Sequence, residues 1–208
     1  SPCQIHLMLY LNPPNDNAFV ISNWGARIFF LFYKQMQIVP DGPVPKLVGR
    51  HVVFELQNAP DLTKIPVEWW KHHRIRKGWA ADFAWIRRDQ HYEACNCVCC
   101  MILETMKSKQ MTDFIGEAVG HCVESADMHV ALMEPGHSMG LHEDVGKGDY
   151  TLVWYLNDCA NGELMLPESS SFVQPKKNRA ILFSIPQPHY IAPASNDRFS
   201  VTAWFKKV

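Results

Sequence analysis

Short apolar runs separated by turn residues fill the C-terminal part of the chain. From about residue 126 onward, apolar and polar positions alternate over short segments at 129–133, 150–156, 163–166, 179–184 and 199–205. Turn-forming residues lie between these segments, including Pro135-Gly136, Gly146-Lys147-Gly148, Asn161-Gly162 and residues 175–178. An alternation with a period of two, bounded by such turns, predicts short β-strands.

A helical block precedes this region. Between about residues 90 and 120, apolar residues recur at helical intervals, and Gly120 is a suitable C-terminal stop. The pattern is interrupted at residues 107–110, which predicts a break between two helices. Closer to the N-terminus, apolar runs alternate with turn clusters, and residues 51–56 and 82–86 are predicted to be strands.

Short strands after a helical block predict an α+β fold class, mainly β with supporting helices, built around a jelly roll. The 208 residues suffice for one domain with a sizeable core, and 47% hydrophobic with 20% charged residues is an ordinary globular composition. We therefore predict a single domain over residues 1–208. Residues 1–125 supply N-terminal strands and the supporting helices, and residues 126–208 form the core.

Charge and hydropathy exclude several classes of partner. The formal net charge is −1, so no overall positive charge favours nucleic-acid binding. We interpret the basic run at residues 71–77 as a solvated surface segment, with steering of an acidic substrate as the lesser alternative. The apolar stretches at 5–11 and 28–33 are far shorter than the ~20 residues of a membrane span, and the first lacks a basic leader. We expect a cytoplasmic protein with no nucleic-acid or membrane partner.

The cysteines bear on the cellular compartment. The chain has seven, and four of them lie within residues 95–100. An odd count with adjacent cysteines is atypical of a secreted disulfide framework and favours a reducing, intracellular compartment. Cys95 and Cys99 would share one face of a helix, which leaves a structural zinc site as an alternative. No second Cys or His pair follows at finger-like spacing, so we interpret the cluster as buried core.

The segment His142-Glu143-Asp144, followed later by His189 and Arg198, carries the candidate chemistry. In an extended segment, His142 and Asp144 point to the same side, so both could bind one ion. Two imidazoles and one carboxylate form the ligand set that binds non-haem Fe(II) and leaves positions open for substrate and oxygen. His189 near a later strand end could complete this set. An arginine on the following strand suits a carboxylate co-substrate.

Several motifs of the C-terminal half stand in the order found in a known family. They are Glu134-Pro135-Gly136, residues 151–157 with Thr151 and Tyr155, Asn161-Gly162-Glu163, residues 175–183, Pro188-His189-Tyr190 and residues 198–205. Over residues 126–208 the sequence resembles the catalytic core of the Fe(II)/2-oxoglutarate-dependent oxygenases, specifically the prolyl-hydroxylase-like branch. Glu134 stands where a tyrosine near the co-substrate is common, which would change the polarity of that wall.

This resemblance implies a double-stranded β-helix and a site that uses Fe(II), 2-oxoglutarate and dioxygen, with ascorbate as a candidate reductant. It implies that His142, Asp144 and His189 bind the metal. Arg198 would then hold the distal carboxylate of 2-oxoglutarate, with Tyr155 and Thr202 as hydrogen-bonding partners. Family members that halogenate generally lack the carboxylate supplied here by Asp144, so hydroxylation is the expected reaction, with desaturation, epoxidation or ring formation as alternatives.

The resemblance favours a peptide or protein substrate, hydroxylated at an unactivated C–H bond as a prolyl hydroxylase does. An oxygenase acting on a free amino acid or a small natural product is the first alternative. A catalytically silent jelly-roll binding module is the second, and metal content would separate it from an enzyme. The oligomeric state is not predicted. Residues Trp154, Phe183 and Trp204 are assigned to packing, and His121, His129 and His137 to core or surface.

Overall fold

A computed structural model describes residues 43–62, 71–76, 79–85 and 98–208. Within these ranges the chain forms β1 (His51–Glu55), β2 (Lys71–Arg76), β3 (Trp79–Trp85), α1 (Val98–Lys107), α2 (Lys109–Val119), β4 (Val123–Met133), β5 (Met139–His142), β6 (Tyr150–Tyr155), β7 (Leu164–Leu166), β8 (Ser171–Val173), β9 (Arg179–Ser184), β10 (His189–Ile191) and β11 (Arg198–Lys207). A short 3-10 turn, Pro167–Ser169, joins β7 to β8.

The strands form two antiparallel sheets. The larger sheet has seven strands in the order β1-β9-β6-β11-β4-β3-β2, and the smaller has four in the order β5-β10-β7-β8. Non-consecutive neighbours, such as β11 between β6 and β4, show that the chain crosses repeatedly between the sheets. This is the arrangement expected of a jelly roll, and it agrees with the predicted mainly β class with supporting helices.

Alternate residues of the large sheet face two different cores. Leu152 and Trp154 of β6 belong to a cluster with the buried residues of α1 and α2. Val153 and Tyr155, on the opposite face of the same strand, belong to a cluster with Leu164 and other residues of the small sheet. Because both faces are covered, all six residues of β6 are buried. The helices therefore support the sheet from outside, and the second cluster lies on the side of the candidate site.

The helical block divides where the sequence predicts. Ser108 separates α1 from α2, and its side chain accepts a hydrogen bond from the backbone N–H of Met111 at 3.1 Å. This N-cap satisfies one of the free donors of the first turn. Gly120 ends α2 with φ +80°, a left-handed conformation that glycine adopts without a steric penalty.

Some features were not predicted. Most of the basic run forms β2, which pairs with β3 at the edge of the large sheet. Cys95 and Cys97 lie outside the described residues. Cys99 is buried, as the core interpretation expects, whereas Cys122 is disulfide-bonded. A disulfide is more typical of an oxidising compartment, so it weighs against the cysteine argument for a reducing one.

Two further expectations concern the chain as a whole. Among the described helices, none is long and apolar enough to cross a membrane. The organisation of residues 1–208 as a single domain, with its division after residue 125, remains a prediction.

Candidate active site

Three of the predicted site residues meet at one end of the small sheet. His142 ends β5, Asp144 follows it by two residues, and His189 begins β10. His142 and His189 are direct partners in the antiparallel pairing of β5 with β10. One ligand atom from each of the three residues lies within 4.8 Å of the other two. The pairing of two short strands thus brings together residues that are 47 positions apart in the chain.

Backbone carbonyls orient both imidazoles. His142 Nδ1 lies 2.8 Å from the carbonyl oxygen of Gly140, and His189 Nδ1 lies 2.8 Å from that of Gln187. A carbonyl only accepts, so Nδ1 is the donor in each pair and Nε2 is the ring nitrogen that faces Asp144. The two Nε2 atoms lie 3.8 Å and 3.9 Å from the Asp144 carboxylate. A histidine that binds a metal usually donates its other ring N–H to a carbonyl or carboxylate, as both of these do.

Burial keeps His189 in the form that binds metals. The side chain is 3% exposed. Loss of solvation lowers the pKa of His189 below its ordinary value, the nearby His142 lowers it further, and Asp144 opposes the change. Phe183 packs its ring against that of His189, with centroids 4.9 Å apart. Phe183 therefore packs as predicted, but against a candidate ligand.

The Asp144 carboxylate is held from the large sheet. Its Oδ2 accepts hydrogen bonds from the Thr151 hydroxyl of β6 at 2.8 Å and from the Trp204 indole N–H of β11 at 3.0 Å. The assignment of Trp204 to packing alone is therefore wrong, because the buried indole is also a donor to a candidate ligand. The signal was present in the sequence, since a buried Trp N–H usually needs a partner.

A cavity of about 260 Å³ adjoins these three residues. Its wall includes the inward-facing residues of β4 and β11, which alternate along each strand: His129, Ala131, Met133, Arg198, Ser200, Thr202 and Trp204. Val153, Leu164 and Ile191 add apolar surface. The fourth predicted residue, Arg198, therefore shares one cavity with the three candidate ligands.

Arg198 is a buried cation whose bonds within the described part of the chain go to uncharged acceptors. It is 1% exposed. Nε donates to the Gly162 carbonyl at 3.0 Å, and Nη1 donates to the Ser200 hydroxyl at 3.2 Å. Nη2 is buried and has no hydrogen-bond partner there. A buried guanidinium left in this state is costly, and a carboxylate is the group that would satisfy it.

Tyr155 lies beside this cation. The Arg198 guanidinium carbon is 4.9 Å from the centre of the Tyr155 ring, and the Tyr155 hydroxyl is buried with no hydrogen-bond partner among the described residues. Burial raises the pKa of the Tyr155 phenol, while Arg198 opposes the shift. The hydroxyl is therefore a neutral donor available to a ligand bound at Arg198.

Sequence reasoning missed Ser200 and misplaced one wall residue. Arg198, Ser200 and Thr202 alternate on β11 and line one cavity, so the period of two could have identified Ser200. At the end of β4 the residue that lines the cavity is Met133, which pairs with Arg198. Glu134 points outward, with its side chain 56% exposed. The expected effect of Glu134 on the cavity wall is therefore wrong, and a thioether lines that wall.

The histidines outside the ligand set differ in position. His129 is buried and lines the cavity, with its ring centroid 5.2 Å from that of Trp204. His121 accepts or donates a hydrogen bond with the Tyr150 hydroxyl at 3.0 Å, away from the cavity. His137 lies near the exposed Glu134. Only His129 of these three is placed to contact a molecule in the cavity.

Known proteins share the sequence pattern of this region. Residues 128–206 match the family model described as the 2OG-Fe(II) oxygenase superfamily. A comparison with curated proteins finds no significant sequence match.

Solved structures share the fold. An oxidoreductase of the 2OG-Fe(II) oxygenase family from Burkholderia pseudomallei is 16% identical with a TM-score of 0.56, over 69% of this chain and 74% of the other. A prolyl hydroxylase from Trichoplax adhaerens, in complex with a hypoxia inducible factor peptide fragment, is 18% identical with a TM-score of 0.51, over 67% and 71%. The epimerase SnoN, in complex with Fe3+, alpha ketoglutarate and nogalamycin RO, is 10% identical with a TM-score of 0.52, over 66% and 68%.

At these identities the structural likeness establishes the fold alone, which is the double-stranded β-helix implied by the sequence. The family match covers all four residues that carry the candidate chemistry. The resemblance noted from the sequence agrees with the family match, and the fold that it implies is confirmed. Residues 128–206 are thus similar to the 2OG-Fe(II) oxygenase superfamily, and this similarity supports a dioxygenase that uses Fe(II), 2-oxoglutarate and dioxygen.

Proposed function

We propose that this protein is a 2-oxoglutarate-dependent hydroxylase in which His142, Asp144 and His189 bind Fe(II) and Arg198 binds 2-oxoglutarate. The observation that carries the proposal is the buried Nη2 of Arg198, which has no hydrogen-bond partner among the described residues, in the cavity where three candidate metal ligands converge. Two imidazoles with one carboxylate suit Fe(II), and among the described residues no thiolate, which would favour zinc, joins them. The donor set and the orphaned cation therefore fit the metal and the co-substrate that the family uses.

Bound iron with its co-substrate supplies the oxidation of a substrate C–H bond by dioxygen, coupled to decarboxylation of 2-oxoglutarate to succinate. The side chains of the protein would hold the metal and the co-substrate in position. The Gly140 and Gln187 carbonyls hold the two Nε2 atoms in place, and Arg198 orients the co-substrate through its distal carboxylate. Tyr155 and Thr202 are proposed to donate hydrogen bonds to that carboxylate. The apolar wall formed by Met133, Val153 and neighbouring residues limits water in the cavity.

The test is an anaerobic titration of apo-protein with Fe(II) and then 2-oxoglutarate, followed by visible absorption. A metal-to-ketoacid charge-transfer band is expected in the wild type and not in Asp144→Ala, whose fold is checked by circular dichroism. Succinate production should fall in the same variant to the background level. A folded wild-type protein that gives no band would contradict the proposal and favour the silent binding module.

For the prime substrate, we propose a proline-containing peptide or protein. Support comes from the likeness of residues 126–208 to the prolyl-hydroxylase-like branch and from the shared fold of the Trichoplax adhaerens enzyme. The epimerase complex shows the same fold holding a small natural product, which keeps a small-molecule substrate as the alternative. Succinate release measured with proline-rich peptides and with free proline separates the two. Succinate release with free proline and none with the peptides would contradict the peptide proposal.

The remaining assignments are proposals of the same kind. No nucleic-acid or membrane partner is proposed, because the net charge of −1 offers no basic surface overall. A reducing, cytoplasmic location is proposed only from the odd number of cysteines, and the disulfide at Cys122 counts against it. Mass spectrometry of the purified protein with and without reductant measures whether that disulfide exists in solution.

A further inference from the structure

The two oxygens of the Asp144 carboxylate have different surroundings. Both hydrogen bonds from the large sheet go to Oδ2, from Thr151 Oγ1 at 2.8 Å and from Trp204 Nε1 at 3.0 Å. A carboxylate oxygen has two lone pairs, so these two donors use the capacity of Oδ2. Oδ1 is the atom that faces His142 Nε2, at 3.8 Å. Oδ2 lies 3.9 Å from His189 Nε2, so the carboxylate lies between the two imidazoles, and Oδ1 is the oxygen that these two donors leave for another ligand.

The two donors are fixed by the sheet. Thr151 is fully buried and Trp204 is 3% exposed. They are direct partners in the antiparallel pairing of β6 with β11. The Trp204 ring is further packed by His129, at a centroid distance of 5.2 Å, and by the Lys147 ammonium, 5.0 Å from the ring centre. Because neither donor can turn away without disturbing the sheet, the orientation of Asp144 is preset before any ligand binds.

We propose that Trp204 and Thr151 are positioning residues of the metal site, which hold Asp144 by its Oδ2 atom between His142 and His189. This inference rests on the proposed function, because it requires that His142, Asp144 and His189 bind a metal. A carboxylate held by two donors on one oxygen cannot turn away from the two imidazoles, so it would be in place to bind an ion together with them. Groups that orient metal ligands in this way typically contribute 10–100-fold to metal affinity.

The experiment measures Mn(II) binding to apo-protein, by the electron paramagnetic resonance signal of free Mn(II), and needs no turnover. Thr151→Val removes the hydroxyl at nearly constant volume, and Thr151→Ser keeps it. Trp204→Phe removes the indole N–H, and Trp154→Phe is its matched control, since Trp154 is fully buried in the helix-side core. We expect about 10–100-fold weaker Mn(II) binding in Thr151→Val and Trp204→Phe. Thr151→Ser and Trp154→Phe should bind as the wild type does.

The outcomes separate this inference from the proposed function. Wild-type protein that does not bind Mn(II) would overturn both. Tight binding in the wild type with equal affinity in Thr151→Val and Trp204→Phe would overturn the positioning role alone. A loss in Trp154→Phe equal to that in Trp204→Phe would also overturn it, because the effect would then be one of general packing. If Trp204→Phe does not fold, the comparison of Thr151→Val with Thr151→Ser decides the question.

Discussion

At the scale of single residues, Arg198 combines two properties that seldom occur together. It is almost completely buried, yet in the described part of the chain Nη2 has no acceptor and the other hydrogen bonds of the guanidinium go to neutral groups. Burying a charge without a counter-charge opposes folding, so the apo-protein bears a cost that a bound dicarboxylate would remove. Arg198 should therefore affect stability and ligand binding in opposite directions.

Replacing Arg198 by Met tests this directly. Removing the uncompensated charge should leave the free energy of unfolding of the apo-protein unchanged or raise it by up to about 4 kcal/mol. At the same time, 2-oxoglutarate should no longer stabilise the variant. Urea unfolding with and without 2-oxoglutarate measures both effects. Arg198→Lys is the control, since it keeps the positive charge but cannot bind a carboxylate in the bidentate geometry of a guanidinium. An Arg198→Met variant still stabilised by 2-oxoglutarate would remove Arg198 from the co-substrate site.

The residues that the sequence identified share a property. His142, Asp144, His189 and Arg198 have side chains whose chemistry is unusual in an apolar strand region, so each is conspicuous without a structure. Ser200 and Trp204 are ordinary strand residues, and only their neighbours give them a function. Met133 was missed for a related reason, because a shift of one position along a strand moves a side chain to the other face. The sequence therefore indicates Glu134, its neighbour, as the residue of the cavity wall.

At the scale of elements, the turn before β7 has a direct influence on the site. Gly162 has φ +86°, and its carbonyl oxygen accepts the Arg198 Nε–H at 3.0 Å. A Cβ added at this position would lie 3.0 Å from Arg198 Cδ and 3.4 Å from Ala194 Cα. The absence of a side chain here thus lets the turn approach the arginine closely.

Gly162→Ala should therefore weaken 2-oxoglutarate binding as well as strain the turn. Displacing one hydrogen bond to a charged group corresponds to about 1.5 kcal/mol, or about tenfold in affinity. Gly120→Ala is the matched control, because Gly120 has φ +80° and an added Cβ would meet nothing within 4 Å. Both variants should lose similar stability from the left-handed backbone, roughly 1–2 kcal/mol. Calorimetric 2-oxoglutarate titrations that give equal affinities would show that the turn does not position Arg198.

The elements themselves were predictable where local pattern decides them. The break at Ser108, the stop at Gly120 and the strands β6, β9 and β11 follow from periodicity and turn residues. The strand β10 is only three residues long, and β8 likewise, so neither shows a period of its own. The strand β2 is a run of mainly basic residues at a sheet edge, where its pairing with β3 overrides composition. Such strands exist because a neighbour pairs with them, which a single sequence does not reveal.

At the scale of the whole molecule, the candidate metal ligands lie where the two sheets meet. His142 and His189 come from the small sheet, whereas the bonds that hold Asp144 come from β6 and β11 of the large one. An ion bound to all three residues would tie the four-stranded sheet to the seven-stranded sheet. Metal binding should therefore stabilise the described fold as one unit, beyond the immediate surroundings of the ion.

The prediction is a rise in thermal stability that depends on Asp144. At a Mn(II) concentration 100 times its Kd, linkage gives about 2.7 kcal/mol, which for a chain of this size corresponds to roughly 5–10 °C in Tm. Differential scanning calorimetry should show this shift in a single transition for the wild type. Asp144→Ala, compared with its own metal-free baseline, should show none. If only a minor transition moved, the ion would be stabilising one sheet alone, and an equal shift in Asp144→Ala would place the ion elsewhere. If the wild type instead shows one transition that shifts with Mn(II), and Asp144→Ala shows no shift, folding and metal binding are coupled through the junction of the two sheets.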